Sequence, residues 1–330
     1  MPNPAPRIIV SGFWRSGTTW LQRIIADAVC ARTAFEPFSA GNPTYSGLLD
    51  SFYDVRTGAE REVLFPHLDG GAAPAELEEY ARKEFAGRGN DPFLFYNDRT
   101  GDRDACDIVV AKETRTAFSL RWLRQAFPSA AIVHVSRDPR AILASMQRYD
   151  GHIARDPRGL LKREKDSDSW WLATDCDFTR VICDQPDGRA NLCAPYKEAI
   201  RASRGLSNPE KIGILWAISE DRALKSLSDM SGACQVVYED IVSDPERAIS
   251  AVGQISGEIL AGDVDFAAPS FTASPGRQSV SSEQFRHSWK TELSENDAIG
   301  VVRGVSLVNP SLLYRFSAGG WSGQNGLRGR

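Results

Sequence analysis

A glycine-containing loop near the N-terminus has the residue types and spacing of a phosphate-binding loop. The segment Gly12–Thr19 reads GFWRSGTT between an apolar run and a helical pattern, where backbone N–H groups and the helix dipole attract an anion. Gly12 and Gly17 have the spacing of the nucleotide triphosphate loop G-x-x-x-x-G-K-[ST], but Thr18 occupies the lysine position. The cation of the loop is Arg15, three residues earlier, which suits a 5′-phosphosulfate with no β/γ pair to be bridged by Mg²⁺.

A second group of phosphate-binding residue types follows about 120 residues later. The apolar run over 131–135 predicts a strand, and Asp138 and Pro139 are typical of a helix start. Arg137 would leave the end of that strand, and Ser145 would lie about two helical turns further on. A planar guanidinium and a hydroxyl can hold one phosphate from two sides.

Strands and helices alternate along most of the chain, which predicts an α/β fold: a P-loop-like, mainly parallel sheet flanked by helices on both faces. Ligands of such sheets bind beyond the carboxyl ends of the strands, so the loops after strands should hold the chemistry. The predicted strands span 7–10, 108–111, 131–135 and 235–238, and helices are predicted over 18–30 and 117–127 and from 139, 208 and 244.

The two motifs together resemble those of sulfotransferases that use 3′-phosphoadenosine-5′-phosphosulfate (PAPS). SGFWRSGTTWLQ resembles the 5′-phosphosulfate loop, closest to the carbohydrate branch of the family, and the strand followed by RDPRA and a helical serine resembles the 3′-phosphate segment. The resemblance implies the sulfotransferase fold, PAPS as sulfate donor and no metal. It implies a nucleotide site made of Arg15, Ser16, Gly17, Thr18, Thr19, Trp20, Arg137 and Ser145.

Two weaker matches extend the resemblance toward the C-terminus. Residues 237–246 are similar to a Y-E-D-L…D-P segment, and 286–294 to a W-(R/K)…L-S stretch, both with an architectural role expected. Ser281 and Arg286 are loosely aligned candidates for closing over the 3′-phosphate.

Sulfuryl transfer needs a base for the acceptor proton and cations for the developing charge. Glu36, in an E-P pair similar to one in carbohydrate sulfotransferases, is the first candidate base, and we expect a partly dry cleft to raise its proton affinity. Glu113, in KETR, is the alternative base; Thr114 stands where cytosolic sulfotransferases carry a histidine. Lys112 and Arg15 are the candidates for neutralising the sulfonyl oxygens and the leaving phosphate. The four histidines match no catalytic motif, and His134 is expected in the core.

Composition limits the remaining choices. A net charge of −4 over 330 residues argues against nucleic acid as the main partner, and no apolar run is long enough to span a membrane. The chain begins without a signal-peptide pattern, which favours a cytoplasmic enzyme; the alternative is a Golgi luminal domain whose anchor has been removed. Cys176, Cys183 and Cys193 fit no zinc pattern, and the spacing leaves open whether they form a disulfide.

We expect one sulfotransferase domain over 1–330, in which the less periodic segments 39–105 and 151–207 are insertions that shape the acceptor site. A carbohydrate-like hydroxyl is the favoured acceptor, although its identity and the oligomeric state stay open. The alternatives are a P-loop kinase or other NTPase, which the missing loop lysine disfavours, and a catalytically silent PAPS-binding protein.

Overall fold

Five parallel strands form the centre of the molecule. A computed structural model describes residues 6–69, 73–89, 92–95, 98, 108–153, 176–257 and 287–317. The strands lie in the order β2-β3-β1-β4-β5, so that the chain crosses over between neighbours and all carboxyl ends meet at one edge. They span Pro6–Gly12 (β1), Arg32–Phe35 (β2), Val109–Glu113 (β3), Ala131–Ser136 (β4) and Ala233–Val237 (β5).

Helices follow or connect these strands, as the alternating pattern predicted. Short single turns occur between 92 and 95, between 179 and 205, and at 310–313. The helices of the described residues are Thr18–Ala28 (α1), Pro43–Phe52 (α2), Gly58–Val63 (α3), Ala75–Phe85 (α4), Leu120–Ala126 (α5), Pro139–Ile153 (α6), Ala190–Cys193 (α7), Lys197–Ala202 (α8), Asn208–Leu227 (α9), Tyr238–Ser243 (α10), Pro245–Ser256 (α11), Trp289–Glu292 (α12), Glu295–Val308 (α13) and Tyr314–Ser317 (α14).

The two faces of the sheet are covered by different helices. Ile8 and Val10 of β1 belong to a core that includes residues of α1 and α11, whereas Ile9 belongs to a larger core shared with α9. Strands buried on both faces need continuous apolar sequence, which is why β1 and β4 were recognisable from composition alone. The α/β class with a parallel sheet covered on both sides is confirmed.

Several element boundaries differ from the sequence prediction by a few residues, and two differences affect the site. Strand β2 was not predicted, because its four residues include a charged and a hydroxyl side chain; it pairs with β3 at the sheet edge and delivers Glu36. Strand β5 ends at Val237, so Tyr238 begins α10 instead of ending the strand. The ends of short elements depend on tertiary pairing more than on local sequence.

Parts of the two segments expected to be insertions pack against each other. Arg189 is fully buried, pairs with Asp187 and donates from Nη1 to the carbonyl of Phe65 at 2.6 Å. Arg180 pairs with Glu60 and donates to the carbonyl of Asp54 at 2.7 Å. The hydrogen bond of Arg189 to Phe65 and the ion pair of Arg180 with Glu60 join 177–189 to 54–65. No helix in the described part of the chain has the length and apolar composition that crossing a bilayer requires.

Candidate active site

The loop between β1 and α1 has two positions at which a side chain would clash with its surroundings. Gly17 has φ = 92°, and a Cβ there would collide with the ring of Tyr238. A Cβ on Gly12 would lie 2.6 Å from Ser16 Oγ and 2.8 Å from the carbonyl oxygen of Val135. Glycine is therefore required at both ends of the loop, as the spacing predicted.

The loop is closed by its own side chains. Ser16 is fully buried, and its hydroxyl donates to the carbonyl of Phe13 at 2.6 Å, while its backbone N–H donates to the same oxygen at 3.2 Å. Arg15 has a left-handed backbone, with φ = 61°. Thr18 and Thr19 are buried at the first turn of α1, where the N–H groups of a helix lack intrahelical partners.

The structure brings Arg15, Arg137 and Ser145 together. Arg15 donates from Nε to Ser145 Oγ at 3.1 Å, and Arg137 donates from Nη1 to the backbone carbonyl of Arg15 at 2.6 Å. The second arginine thus leaves the end of β4 and reaches the loop after β1, the neighbouring strand. We call the loop Gly12–Thr19 together with Arg137 and Ser145 the arginine cradle.

Tyr238 and Glu239 lie next to the cradle, although their segment was expected to have only an architectural role. The guanidinium of Arg137 lies over the Tyr238 ring at 4.5 Å, and the same ring contacts Trp20 edge-on, with centroids 6.1 Å apart. Glu239 accepts from the backbone N–H of Asp138 at 3.1 Å, and burial raises its pKa to about 7 despite the opposing charge of Arg137. The sequence signal for a role of these residues was their position directly after β5, at the sheet edge where the loops that follow the strands meet.

Glu36 lies at the end of β2 and is held by Lys112 of β3. Its backbone N–H donates to the Lys112 carbonyl at 2.8 Å, its φ is 42°, and its Oε1 accepts from the Lys112 ammonium. That ammonium also lies 4.3 Å from the centroid of the Phe35 ring. Two residues chosen from sequence as base and cation are therefore an ion pair.

This ion pair belongs to a largely buried set of charged side chains. We call the set the carboxylate cluster, and it consists of Glu36, Glu62, Lys112, Glu113 and Arg115. Arg115 donates to Glu62 Oε2 at 2.5 Å, and its Nη1 lies 3.7 Å from Glu36 Oε2 and 3.9 Å from Glu113 Oε1. Sequence reasoning did not assign a role to Arg115 or Glu62. Strand β3 ends at Glu113, so the alternation of strand faces does not extend to Arg115.

The proton affinity of Glu36 differs from the expectation. Burial by itself would raise its pKa, as we predicted, but the charges of Lys112, Arg115 and Arg15 outweigh it and the pKa of Glu36 is lowered. The expected increase in the proton affinity of Glu36 is therefore wrong. The contribution of Arg15 also shows that the cradle and the carboxylate cluster are electrostatic neighbours.

Glu113 occupies a different environment only one residue from Lys112. It is fully buried and accepts three backbone N–H bonds, from Phe38 at 2.5 Å, Thr114 at 2.6 Å and Arg115 at 2.9 Å. Burial raises the pKa of Glu113 to about 7. Its carboxylate shapes the turns after β2 and β3, and its complete burial separates it from any acceptor hydroxyl.

Other residues considered from sequence have plainer surroundings. His134 is buried on β4, as expected. Cys176, Cys183 and Cys193 are free thiols. Ser281 and Arg286 lie outside the described residues. Where the chain is described, no three His, Cys, Asp or Glu side chains are grouped so that they could hold a metal ion.

A comparison with protein families shows which family the chain belongs to. A family model described as the Sulfotransferase family matches residues 6–172, half of the 330 residues, and the match includes Arg15, Glu36 and Arg137. The chain therefore belongs to the Sulfotransferase family. Membership supports sulfuryl transfer in general and disfavours the NTPase alternative, but it does not distinguish the carbohydrate branch from the others.

Solved structures of similar backbone include sulfotransferases and one related enzyme. A sulfotransferase from Alicyclobacillus acidocaldarius is 16% identical over 92% of this chain and 95% of its own, with a TM-score of 0.42. One from Mycobacterium tuberculosis is 16% identical over 92% and 76%, with a TM-score of 0.41. A retinol dehydratase in complex with retinol and PAP is 12% identical over 92% and 71%, with a TM-score of 0.37. No curated protein sequence matches the chain.

Proposed function

We propose that this protein transfers the sulfuryl group of PAPS to a hydroxyl of an acceptor, with a carbohydrate-like acceptor favoured. The observation that carries the proposal is the contact between the two predicted anion-binding motifs. Arg137 bonds to the Arg15 carbonyl, and Arg15 bonds to Ser145, at the strand-end edge where parallel sheets bind ligands. One compact ligand with two separated phosphate groups suits that arrangement.

Each part of the cradle has a distinct task in this proposal. The N–H groups at the start of α1 and the side chains of Arg15, Ser16, Thr18 and Thr19 bind the 5′-phosphosulfate. Arg137 and Ser145 bind the 3′-phosphate, for which a guanidinium fork and a hydroxyl are matched donors. Trp20 and Tyr238 flank the cradle with aromatic surfaces that can pack against the adenosine.

The reaction is an in-line displacement at sulfur. The acceptor oxygen forms a bond to sulfur as the bond from sulfur to the 5′-phosphate oxygen breaks, and the leaving phosphate takes the electron pair. Arg15 and Lys112 stabilise charge on the sulfonyl oxygens and the leaving group, and Glu36 takes the acceptor proton. No step in this scheme uses a metal ion.

The Lys112 contact decides how Glu36 can act as a base. The ammonium lowers the pKa of Glu36 and makes it a weak base. A bound phosphosulfate gives Lys112 a second anionic partner, and any displacement of Lys112 toward it raises the proton affinity of Glu36. We assign the base to Glu36 over Glu113 because Glu36 keeps a partly exposed side chain, 17% accessible, whereas Glu113 has none.

We also propose that 1–330 is one sulfotransferase domain whose segments 39–105 and 151–207 shape the acceptor site. The contacts of 177–189 with 54–65 support a common role for these segments. A cytoplasmic location is the simplest proposal for an enzyme that needs this donor.

The decisive experiment is mass-detected sulfate transfer from PAPS to a panel of saccharides, phenols, sterols and peptides, with and without EDTA. We expect a sulfated saccharide hydroxyl and no effect of EDTA. PAPS binding without product on any acceptor would instead support a silent binding protein. Mg²⁺-dependent ATP turnover would support the NTPase alternative.

A variant pair tests the base. Glu36→Gln keeps an oxygen acceptor for Lys112 but cannot take a proton, so turnover should fall about 100-fold or more while 3′,5′-bisphosphate binding is retained. The exposed Glu198→Gln is the matched control and should retain full turnover. Unchanged turnover in Glu36→Gln would reject Glu36 as the base.

A further inference from the structure

A chain of buried polar side chains lies one residue layer below the arginine cradle. His134 Nδ1 is 3.0 Å from Ser11 Oγ, and His134 Nε2 is 3.1 Å from Glu220 Oε2. Ser11 Oγ is in turn 2.6 Å from Thr116 Oγ1. The other oxygen of Glu220 accepts from the hydroxyl of Ser136. Gln235 donates to Ser136 Oγ at 2.5 Å and to Glu220 Oε1 at 3.3 Å.

The order of serine, histidine and carboxylate resembles a hydrolase triad, but burial excludes that chemistry. Ser11 has no accessible surface, and His134 has 1%. Because no substrate can reach the Ser11 hydroxyl, the residues must act through their neighbours in the protein.

One assignment of protons satisfies every member of this chain. In the tautomer with its proton on Nε2, His134 donates to Glu220 and accepts at Nδ1 from Ser11, which accepts from Thr116. Ser11 and Ser136 then each donate one hydrogen bond and accept one, so the network has a single direction. Such a network fixes side-chain and strand positions more narrowly than apolar packing does.

The members of the network stand directly before the residues of the candidate site. Ser11 precedes the loop at Gly12, and Ser136 precedes Arg137. Gln235 lies on β5, two residues before its end and three before Tyr238. Ser11 pairs in register with His134, and His134 with Gln235, so the network crosses three adjacent strands at the same height. Glu220 of α9 contacts β4 and β5 directly, and His134 extends the connection to Ser11 of β1.

We propose that His134 and Glu220 are positioning residues for the arginine cradle. By fixing the ends of β1 and β4 relative to each other, they hold the Arg15 carbonyl within reach of the Arg137 guanidinium. A core that needed only stability would be served as well by apolar side chains, since replacing buried polar groups with well-packed apolar ones is often neutral or stabilising. The binding readout below rests on the proposed function; the exchange readout does not.

The test compares His134→Leu and Glu220→Leu with Val133→Ala. Val133 is equally buried on the same strand but belongs to the core on the opposite sheet face, so its truncation loosens packing and leaves the network intact. Hydrogen–deuterium exchange of the free proteins should show faster exchange of the 12–17 and 137–140 peptides in the two leucine variants, and no change there in Val133→Ala. Exchange across 245–253 should change in Val133→Ala, because Ile249 and Val252 belong to the same core as Val133.

Calorimetry with adenosine 3′,5′-bisphosphate gives the second readout. We expect the Kd to rise about tenfold in the leucine variants and to change less than about twofold in Val133→Ala. His134→Gln, which keeps a donor for Glu220, should recover part of the affinity. Should a leucine variant fail to fold, Thr116→Val and His134→Gln provide the same comparison with smaller expected changes.

Three outcomes are distinguishable. The positioning role would be overturned if the loop exchange rates and the Kd changed in proportion to the loss of melting temperature, and did so equally in Val133→Ala and in the network variants. Faster loop exchange in the network variants alone would support it. A wild-type protein that does not bind the bisphosphate would refute the proposed function, while the exchange comparison would still decide the positioning role.

Discussion

The arginine cradle and the carboxylate cluster lie at the same edge of the sheet and use the same kinds of cation differently. In the cradle, Arg15 donates to the Ser145 hydroxyl and Arg137 donates to the backbone carbonyl of Arg15. In the cluster, Lys112 and Arg115 bond to the carboxylates of Glu36 and Glu62. These bonds of the cradle therefore go to neutral oxygens, whereas those of the cluster go to carboxylates.

This difference teaches what each region can do chemically. Bonds to neutral oxygens hold a guanidinium in place at little cost to its attraction for phosphate. Buried ion pairs instead adjust proton affinities, which is how Glu36 and Glu113, both buried carboxylates of one cluster, have pKa values moved in opposite directions. We therefore propose that the cradle binds the nucleotide and that the cluster transfers the proton.

The largest expected effect comes from breaking the cradle. Arg137→Ala removes the fork that binds phosphate and the bond to the Arg15 carbonyl, so the Kd for adenosine 3′,5′-bisphosphate should rise about 100-fold, as expected for lost charge-assisted hydrogen bonds. Calorimetry checks it, with Arg121→Ala as a control at an exposed arginine. Arg137→Lys should fall between the two. Equal affinity in Arg137→Ala would remove Arg137 from the nucleotide site.

A change in the cluster should affect stability and leave nucleotide binding intact. Glu113→Gln replaces one acceptor oxygen with an NH₂ group facing a backbone N–H, so the free energy of unfolding should fall by about 1–3 kcal/mol. Urea denaturation measures it, and Glu198→Gln is the exposed control. A bisphosphate Kd that rose as much as in Arg137→Ala would contradict the division between the two regions.

The same residue predicts a pH dependence. Because the folded pKa of Glu113 is about 7, above the reference value of 4.5, the folded state binds a proton that the unfolded state has lost between those pH values. Wild-type stability should therefore fall as the pH rises from about 4.5 to about 7, with a shallower fall in Glu113→Gln. Equal slopes in the two proteins would show that Glu113 does not titrate in this range.

The smallest expected effect concerns the ion pair between Lys112 and Glu36. Lys112→Met removes the cation that lowers the pKa of Glu36 and leaves the burial that raises it, so the acid limb of the kcat/KM profile should move to higher pH. Lys112→Arg keeps the charge and should leave the limb in place. If the acid limb of Lys112→Met lay at the same pH as that of the wild type, the observed titration would not be that of Glu36.

Local sequence was sufficient for the parts of the molecule where each residue acts through its own backbone. The glycine spacing marked Gly12 and Gly17, the two loop positions at which a Cβ would clash. Asp138 caps the helix that Pro139 begins and accepts from the backbone N–H of Arg140 at 2.9 Å. The apolar runs of β1 and β4 announced a buried parallel sheet because both faces of such strands are covered. Strand β2 was not predicted because it lacks an apolar pattern. Its pairing with β3 stabilises it as a strand.

The sequence by itself determined the α/β class, the loop and the pairing of Arg15 with Arg137 as candidates for one ligand. Only the tertiary structure decided that Lys112 neutralises Glu36, that Arg115 and Glu62 complete the cluster, and that Tyr238 lies next to the cradle. The physical reason is that conformation depends on neighbours along the chain, whereas a pKa depends on charges brought close in space. Glu36 and Lys112 are 76 residues apart in sequence, and the register of two strands makes them an ion pair.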